Sequence, residues 1–210
     1  MFDDIAESWY RLRHWSRFKA ELEGTAKSWR KGRLLNIGCA HGPDFLPFKD
    51  NFELWGIDSS SEMIRMATRY AEKFKFDPNL IVADAVNLPF KDVAFDFAIA
   101  IAVYHHIKGT ESRIKAFKEL SRILKPGGEV FITVWNRWQP RFWYKGKEVI
   151  VPWKTKNHDV YRYHYLFTYP EIESLLKKMG FTSIKTFPER TYKLPFKYFS
   201  KNICILARLG

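Results

Sequence analysis

Apolar positions along this chain recur with two periods. Over residues 2–30 they return at near-helical spacing, at Ile5, Trp9 and Leu12 and again at Phe18 and Leu22, with a lapse at Arg13-His14-Trp15. That predicts two helices in an N-terminal helical segment spanning 1–30. Short apolar runs follow at Leu34–Ile37, Phe52–Asp58, Leu80–Ala83, Phe95–Ala102 and Glu129–Trp135, and each reads as a strand. Between them, residues 60–74 carry Met63, Ile64, Ala67, Ala71 and Phe74 on one helical face. Residues 110–124 place Ile114, Phe117, Leu120, Ile123 and Leu124 opposite Arg113, Lys115, Lys118, Glu119 and Arg122. Pro126-Gly127-Gly128 ends that helix. The stretch beginning near Asp44 holds Pro43 and Pro47, so only a short or distorted element is expected there.

Beyond Trp135 the alternation stops, and residues 136–165 predict no long helix. A helix follows at 170–179, with Pro170 in its first turn and Gly180 after its end. Two closing strands, 181–187 and 202–208, meet through a loop near Leu194-Pro195-Phe196. Strands alternating with helices predict an α/β fold with a largely parallel sheet and helices on both faces. The 210 residues are read as a single domain, with 136–169 as an insertion within it.

Four strand ends carry small or polar residues. The first strand runs into Gly38, Ala40 and Gly42, the second ends in Asp58, the third in Asp84-Ala85, and the fourth in His105-His106. Small residues let backbone approach a ligand closely, and open α/β sheets bind ligands at the carboxyl ends of their strands. Asp58 lies about twenty residues past the glycine turn, the spacing at which a carboxylate meets a ribose diol. Asp58 or Ser59 could equally cap the next helix.

Composition adds a partner class. The formal net charge is +12 and the pI about 9.6, which favours a polyanion. Residues 135–153 hold four of the eight tryptophans, interleaved with Arg137, Arg141, Lys145 and Lys147, and Glu148 is the one acid. Cations neutralise phosphates and aromatic planes stack on unpaired bases; the same residues could instead form a local hydrophobic cluster. No apolar run approaches the ~20 residues needed to span a bilayer, and the acidic N-terminus lacks the layout of a signal peptide. Two separated cysteines, Cys39 and Cys204, predict no disulfide framework and a reducing cytoplasm.

The order Gly-x-Ala-x-Gly, Gly56-Ile57-Asp58, Ala83-Asp84-Ala85, Phe95-Asp96-x-Ala98 and Leu124-Lys125-Pro126-Gly127-Gly128 resembles the Rossmann-like S-adenosylmethionine-dependent methyltransferases. It covers residues 33–135. The resemblance implies S-adenosylmethionine as cofactor and a seven-stranded, mostly parallel sheet with its last strand antiparallel. Candidate cofactor contacts are Gly38, Ala40, Gly42, Asp58, Ser59, Met63, Asp84, Ala85 and Ile101; Asp84 either accepts from the adenine amino group or is a loop acid, Met63 either lies against the adenine or packs in the core, and Arg13 either pairs with the methionine carboxylate or is a surface arginine. That family usually has an acid where this chain has Asn36 and a glycine where it has Ala40.

Ile101-Ala102-Val103-Tyr104-His105-His106, Val134-Trp135, Val151-Pro152-Trp153-Lys154 and Tyr161-Arg162-Tyr163-His164-Tyr165 extend the likeness to nearly the whole chain. They are similar to motifs of the tRNA wobble-uridine methyltransferases that esterify 5-carboxymethyluridine. This narrower resemblance implies tRNA as partner and a small zinc-ribbon activator protein. It also implies acceptor-site roles for His105, His106, Arg162 and His164, and substrate or RNA contacts at Trp135, Arg137, Arg141, Trp153, Lys154 and Tyr163.

Methyl transfer from a sulfonium needs mainly alignment, and a carboxylate acceptor is already ionised at neutral pH. His105 and His106 then need not be bases; a phenol or hydroxyl acceptor would require one. An adjacent histidine pair with no third ligand nearby in sequence argues against a metal site. Two rivals remain: a small-molecule methyltransferase acting on a phenol, a quinone precursor or a free acid, and a non-catalytic cofactor-binding module that recognises RNA or protein.

Overall fold

The computed structural model describes residues 2–154 and 159–210. Helices α1 (Phe2–Leu12) and α2 (Lys19–Trp29) precede β1 (Gly32–Ile37), a 3-10 turn (Pro43–Phe48), β2 (Phe52–Asp58), α3 (Ser61–Phe74) and β3 (Asn79–Val82). Then come β4 (Phe95–Ile101), a 3-10 turn (Tyr104–His106), α4 (Thr110–Ile123) and β5 (Leu124–Trp135). The hairpin β6 (Glu148–Lys154) and β7 (Asp159–Tyr165), then α5 (Tyr169–Lys178), β8 (Phe181–Pro188) and β9 (Asn202–Leu209), complete the chain. Residue 1 of the N-terminal segment and residues 155–158 of the expected insertion lie outside the described residues.

Seven strands form one sheet in the order β3-β2-β1-β4-β5-β9-β8. β1 to β5 pair in parallel, and β9 runs antiparallel to both β5 and β8. This is the mostly parallel sheet with a reversed last strand that the resemblance implied. Strand order turns back between β1 and β4, the place where such sheets open a crevice. Successive side chains point to opposite faces. Leu35, Ala98, Val130 and Ile132 pack on one side with Phe117, Leu120 and Ile123 of α4 and Ile172 and Leu176 of α5. Leu34, Ile99, Phe131 and Cys204 pack on the other with Leu22 and Trp29 of α2 and Phe45 and Phe48 of the first 3-10 turn.

Local chemistry sets the element ends. Ser60 caps α3 by accepting from the Met63 N–H at 3.1 Å. Thr168 and Glu171 form a capping box on α5. Asp3 of α1 reaches across to α3, where Oδ1 accepts from Ser60 Oγ at 2.7 Å and from the Glu62 N–H at 3.1 Å. That contact anchors α1 over the carboxyl ends of the strands.

Two details depart from the sequence reading. α4 ends at Ile123, and β5 takes up Leu124 through the Pro-Gly-Gly segment, with a register shift against β4 between Phe95 and Phe97. Arg113, expected on the polar face of α4, is 5% exposed. Its guanidinium lies 3.7 Å from the Tyr165 ring centroid and donates to the Ile107 carbonyl and to Tyr163 Oη, each at 3.2 Å. Arg113 thereby fastens the β6–β7 hairpin to α4. Among the described residues no helix is long and apolar enough to cross a membrane.

Candidate active site

A cavity of about 470 Å³ opens at the carboxyl ends of the strands, between the sheet, α1 and the hairpin. Its floor is the turn after β1. Gly38 has φ 65° and Ala40 φ 48°, so both residues are left-handed. Only glycine could stand at 38, since a Cβ there would meet Val103 Cγ2 at 2.5 Å. Ala40 accepts the backbone strain and is latched by Asp58, whose Oδ2 accepts from the Ala40 N–H at 2.9 Å. Asp58 Oδ1 accepts from the Ser60 N–H at 3.0 Å, and Ser60, rather than Asp58 or Ser59, caps α3. Each Asp58 oxygen keeps a further acceptor site for a diol.

Ser59, Met63, Asp84, Ala85 and Ile101 line the same cavity. Gly42 does not. It turns the chain at φ 91° into the 3-10 element and faces Phe45 and Tyr70, so its requirement is conformational. The cavity's shape fits S-adenosylmethionine: a glycine floor for close approach, a carboxylate with free acceptor capacity at the end of β2, and Asp84 at the end of β3.

Three arginines line this space, Arg13, Arg17 and Arg162, and Arg13 and Arg162 have no carboxylate partner among the described residues. Arg13, in the link between α1 and α2, lies 4.9 Å from the Trp9 ring centroid. Burial and the neighbouring Arg17 and Arg162 pull its pKa down to about 10. Arg162 of β7 lies 4.7 Å from the Trp153 centroid and is 6% exposed. Trp9 and Trp153 are 5.0 Å apart, and Trp153 Nε1 donates to Ser8 Oγ at 3.1 Å. This aromatic pair ties α1 to the hairpin as a roof. In the sequence reading Trp9 had only a place in the α1 periodicity.

His105, His106 and His164 meet across the same space. Ring centroids of His106 lie 4.4 Å from those of both His105 and His164, and Trp135 stacks on His164 at 4.1 Å. Hydrogen bonds assign the tautomers. The Trp135 N–H donates to His105 Nδ1 at 3.3 Å, which puts the His105 proton on Nε2. His106 Nδ1 donates to the Tyr163 carbonyl at 2.9 Å, and His164 Nδ1 to the Arg162 carbonyl at 3.0 Å. Both therefore present a lone pair at Nε2, and that of His164 is buried without a partner.

The third histidine corrects the expectation that none stood near the pair; β7 brings it there. The three ligand atoms lie within 4.8 Å of one another. The donor set nevertheless does not suit a cation. His105 Nε2 carries the proton, since its Nδ1 accepts from the Trp135 N–H, and Arg162 lies close enough to depress all three histidines. A metal would have to break the Trp135–His105 bond and sit beside a guanidinium.

Burial, more than neighbouring charge, holds the trio neutral. His106 is lowered to about 4 and His164 to about 3, and His105 lies well below its usual 6.5. Since the folded values lie below the unfolded one, the unfolded chain binds more protons as pH falls. The trio's contribution to stability is then complete above pH 6.5 and is lost as pH drops towards 4, by on the order of 2 kcal/mol each for His106 and His164. Urea midpoints measured at pH 7 and pH 4.5 should differ accordingly, and His164→Gln should narrow the gap. Identical gaps in variant and wild type would contradict the assignment.

Other anticipated contacts lie outside the cavity. Arg137 donates to the Phe142 carbonyl at 2.8 Å, and Arg141 lies 5.2 Å from the Phe142 centroid. Both belong to the surface turn after β5. Lys154 is exposed at the hairpin end. Tyr163 acts through others, with its carbonyl on His106 and its hydroxyl on Arg113. Trp153 forms roof rather than lining.

Residues 35–132 match the family model described as "Methyltransferase domain". An uncharacterized protein of Methanocaldococcus jannaschii is 31% identical over 168 residues, 80% of this chain and 73% of that one. The tRNA (carboxymethyluridine(34)-5-O)-methyltransferase of Arabidopsis thaliana is 36% identical over 137 residues, 64% of this chain. Such relatives are longer: the alignments span 31% of the Arabidopsis enzyme and 29% of a mouse probable tRNA methyltransferase 9B. Among solved structures, an S-adenosylmethionine-dependent methyltransferase from Clostridium acetobutylicum superposes with TM-score 0.77 at 16% identity, over 100% of this chain and 99% of that one. A chain from the complex of the Haloferax volcanii Trm112 methyltransferase activator with a putative methyltransferase gives TM-score 0.65 at 15% identity, over 100% and 97%. At these identities the superpositions show the fold.

Proposed function

The chain belongs to the Rossmann-like S-adenosylmethionine-dependent methyltransferases, and from that premise we propose that its acceptor is a carboxylate on RNA, the 5-carboxymethyl group of a tRNA wobble uridine. The cofactor supplies an electrophilic methyl on a sulfonium. The protein's part is to seat the cofactor, hold the acceptor oxygen in line and exclude water.

The observation that carries this reading is the meeting of a buried cation, Arg162, which has no carboxylate partner among the described residues, with histidines whose basicity burial lowers. A phenol titrates near 10. Burial lowers His106 to about 4, so it is a poor acceptor for a phenol's far more tightly held proton. A carboxylate needs no such transfer. It needs donors, and Arg162 offers a planar fork while His105 offers Nε2–H.

RNA as carrier is supported by the surface. Trp138 and Trp143 are each 47% exposed and Tyr144 98%, beside Arg137, Arg141 and Lys145. The β8–β9 loop adds exposed Phe196 and Tyr198 nearby, with Phe199 and Trp143 5.9 Å apart. Such a set can stack unpaired bases and meet phosphates, and we assign the 136–169 insertion this role. The 35–36% identical tRNA-modifying relatives point the same way. A zinc-ribbon activator could extend the sheet at the open edge strand β3, as β-augmentation does.

A labelled-methyl assay tests the reading, using tRNA from cells lacking this protein, with and without a candidate activator. Alkali-labile label on the anticodon nucleoside is expected. Alkali-stable label would move the chemistry to another atom. Label only on free carboxylic acids or phenols, with tRNA unlabelled, would replace the RNA acceptor by a small molecule.

A further inference from the structure

Three carboxylates line the cavity among the described residues: Asp44, Asp58 and Asp84. Two are engaged by backbone. Asp58 takes the Ala40 and Ser60 N–H groups, and Asp84 Oδ1 takes the Val86 N–H at 3.0 Å. Asp44 differs. It stands just past the glycine turn, in the 3-10 element Pro43–Phe48, and is 9% exposed. Among the described residues no cation pairs with it. Its side-chain neighbour is the Ser16 hydroxyl, on the link between α1 and α2, and desolvation pushes its carboxyl up to about 6.

A buried carboxylate without a counter-charge is costly at neutral pH. Arg13, on the same link as Ser16, is the converse: a half-buried cation with no carboxylate partner among the described residues. An unpaired anion and an unpaired cation facing one cavity, yet not joined to each other, match the two ends of a zwitterion. Asn36 at the end of β1 cannot supply the anion. It is 0% exposed, neutral, and both its amide atoms lack partners.

We propose that Asp44 receives the α-ammonium group of the cofactor's amino-acid end, across from Arg13 on the α-carboxylate. The sequence suggested only that Asp44 starts a helix. Its place in the cavity makes it a binding group and gives the chain a charge that Asn36 does not provide. The proposal concerns the cofactor alone and stands whether the acceptor is RNA or a small molecule.

Calorimetry with three ligands tests it: S-adenosylhomocysteine, its analogue lacking the α-amino group, and methylthioadenosine, which lacks the whole amino-acid end. The wild type should bind S-adenosylhomocysteine about tenfold or more tighter than the deaminated analogue. Asp44→Asn should bring the two affinities together while leaving methylthioadenosine within about twofold. Asp44→Ser, which removes the charge at smaller volume, should behave alike and serves if the first variant does not fold. Equal affinity of the wild type for the amino and deaminated ligands overturns the proposal without any variant. So does a parallel loss for all three ligands in a folded variant, which would make Asp44 a support of the glycine turn. Because the readout is binding, failure of the tRNA assay leaves this result unaffected.

Discussion

Arg162→Ala is expected to lower the rate of methyl transfer to a carboxylate by about 30- to 1,000-fold while S-adenosylhomocysteine affinity stays within about threefold. Truncating one member of a buried, hydrogen-bonded charge pair costs about 2–4 kcal/mol, which sets that range. The loss should appear in the acceptor kinetics, because Arg162 sits on β7 over Trp153 and makes no hydrogen bond to the Asp58 latch among the described residues. Stability should change little. The side chain gives up stacking on Trp153, and removal of a 6% exposed cation without a carboxylate partner offsets that loss. Arg162→Lys keeps the charge and loses the planar fork, so an intermediate rate is expected. Initial-rate kinetics with calorimetry on the same preparations measure both quantities. Equal losses in methyl transfer and cofactor affinity would assign Arg162 to the hairpin's packing.

The second large effect is expected at Asp58. Both its oxygens accept backbone N–H groups, one from the strained turn at Ala40 and one from the start of α3. Asp58→Asn exchanges one acceptor oxygen for an NH₂ that confronts an N–H. Two effects follow: the turn loosens, and a ribose diol loses a charged acceptor. A hydrogen bond to a charged group is worth about 1.5–3 kcal/mol, so cofactor affinity should fall by roughly 10- to 150-fold. Burial raises the Asp58 pKa. In a group raised this way, charging is disfavoured by folding, so its contribution to stability is greatest below the unfolded pKa and is lost as pH rises through the folded one. Cofactor binding has the opposite dependence, since it uses the ionised form: affinity should weaken as pH falls through the Asp58 pKa, and that dependence should vanish in the variant. Unchanged affinity in Asp58→Asn would rule out the diol contact.

Much of this was legible in the sequence because the signals are local. The 3.6-residue recurrence of Ile5, Trp9 and Leu12 and the apolar runs ending in Gly38, Asp58 and Asp84 each lie within a dozen residues. Turn chemistry is equally short-range. Pro43 and Pro47 announced the irregular 3-10 element, and Pro170 and Gly180 marked the ends of α5, while the cap of α3 fell one or two residues later than expected, at Ser60. Arg113 was misplaced for the complementary reason: helical periodicity assigns a charged residue outward, and only the aromatic β7 strand, 50 residues on, gives its guanidinium a buried face and a hydroxyl.

Periodicity and backbone sterics act between near neighbours, so the helices and the strands of the main sheet, the glycine turn and the acids at strand ends were readable in the sequence, while the β6–β7 hairpin was not. Tertiary structure alone decided which charges stay unpaired and which rings meet. His164 reaches His105 and His106 because the hairpin folds back on their 3-10 turn, and the hydrogen bond from His106 to Tyr163 closes a separation of 57 residues. Asp3 caps α3 from 57 residues away through Ser60. Burial then sets the chemistry: desolvation keeps three histidines neutral, and packing leaves Arg162 and Asp44 on the cavity lining, with the Asp44 carboxyl raised by desolvation beside the Ser16 hydroxyl. Desolvation depends on everything packed around a group, so no local pattern encodes it.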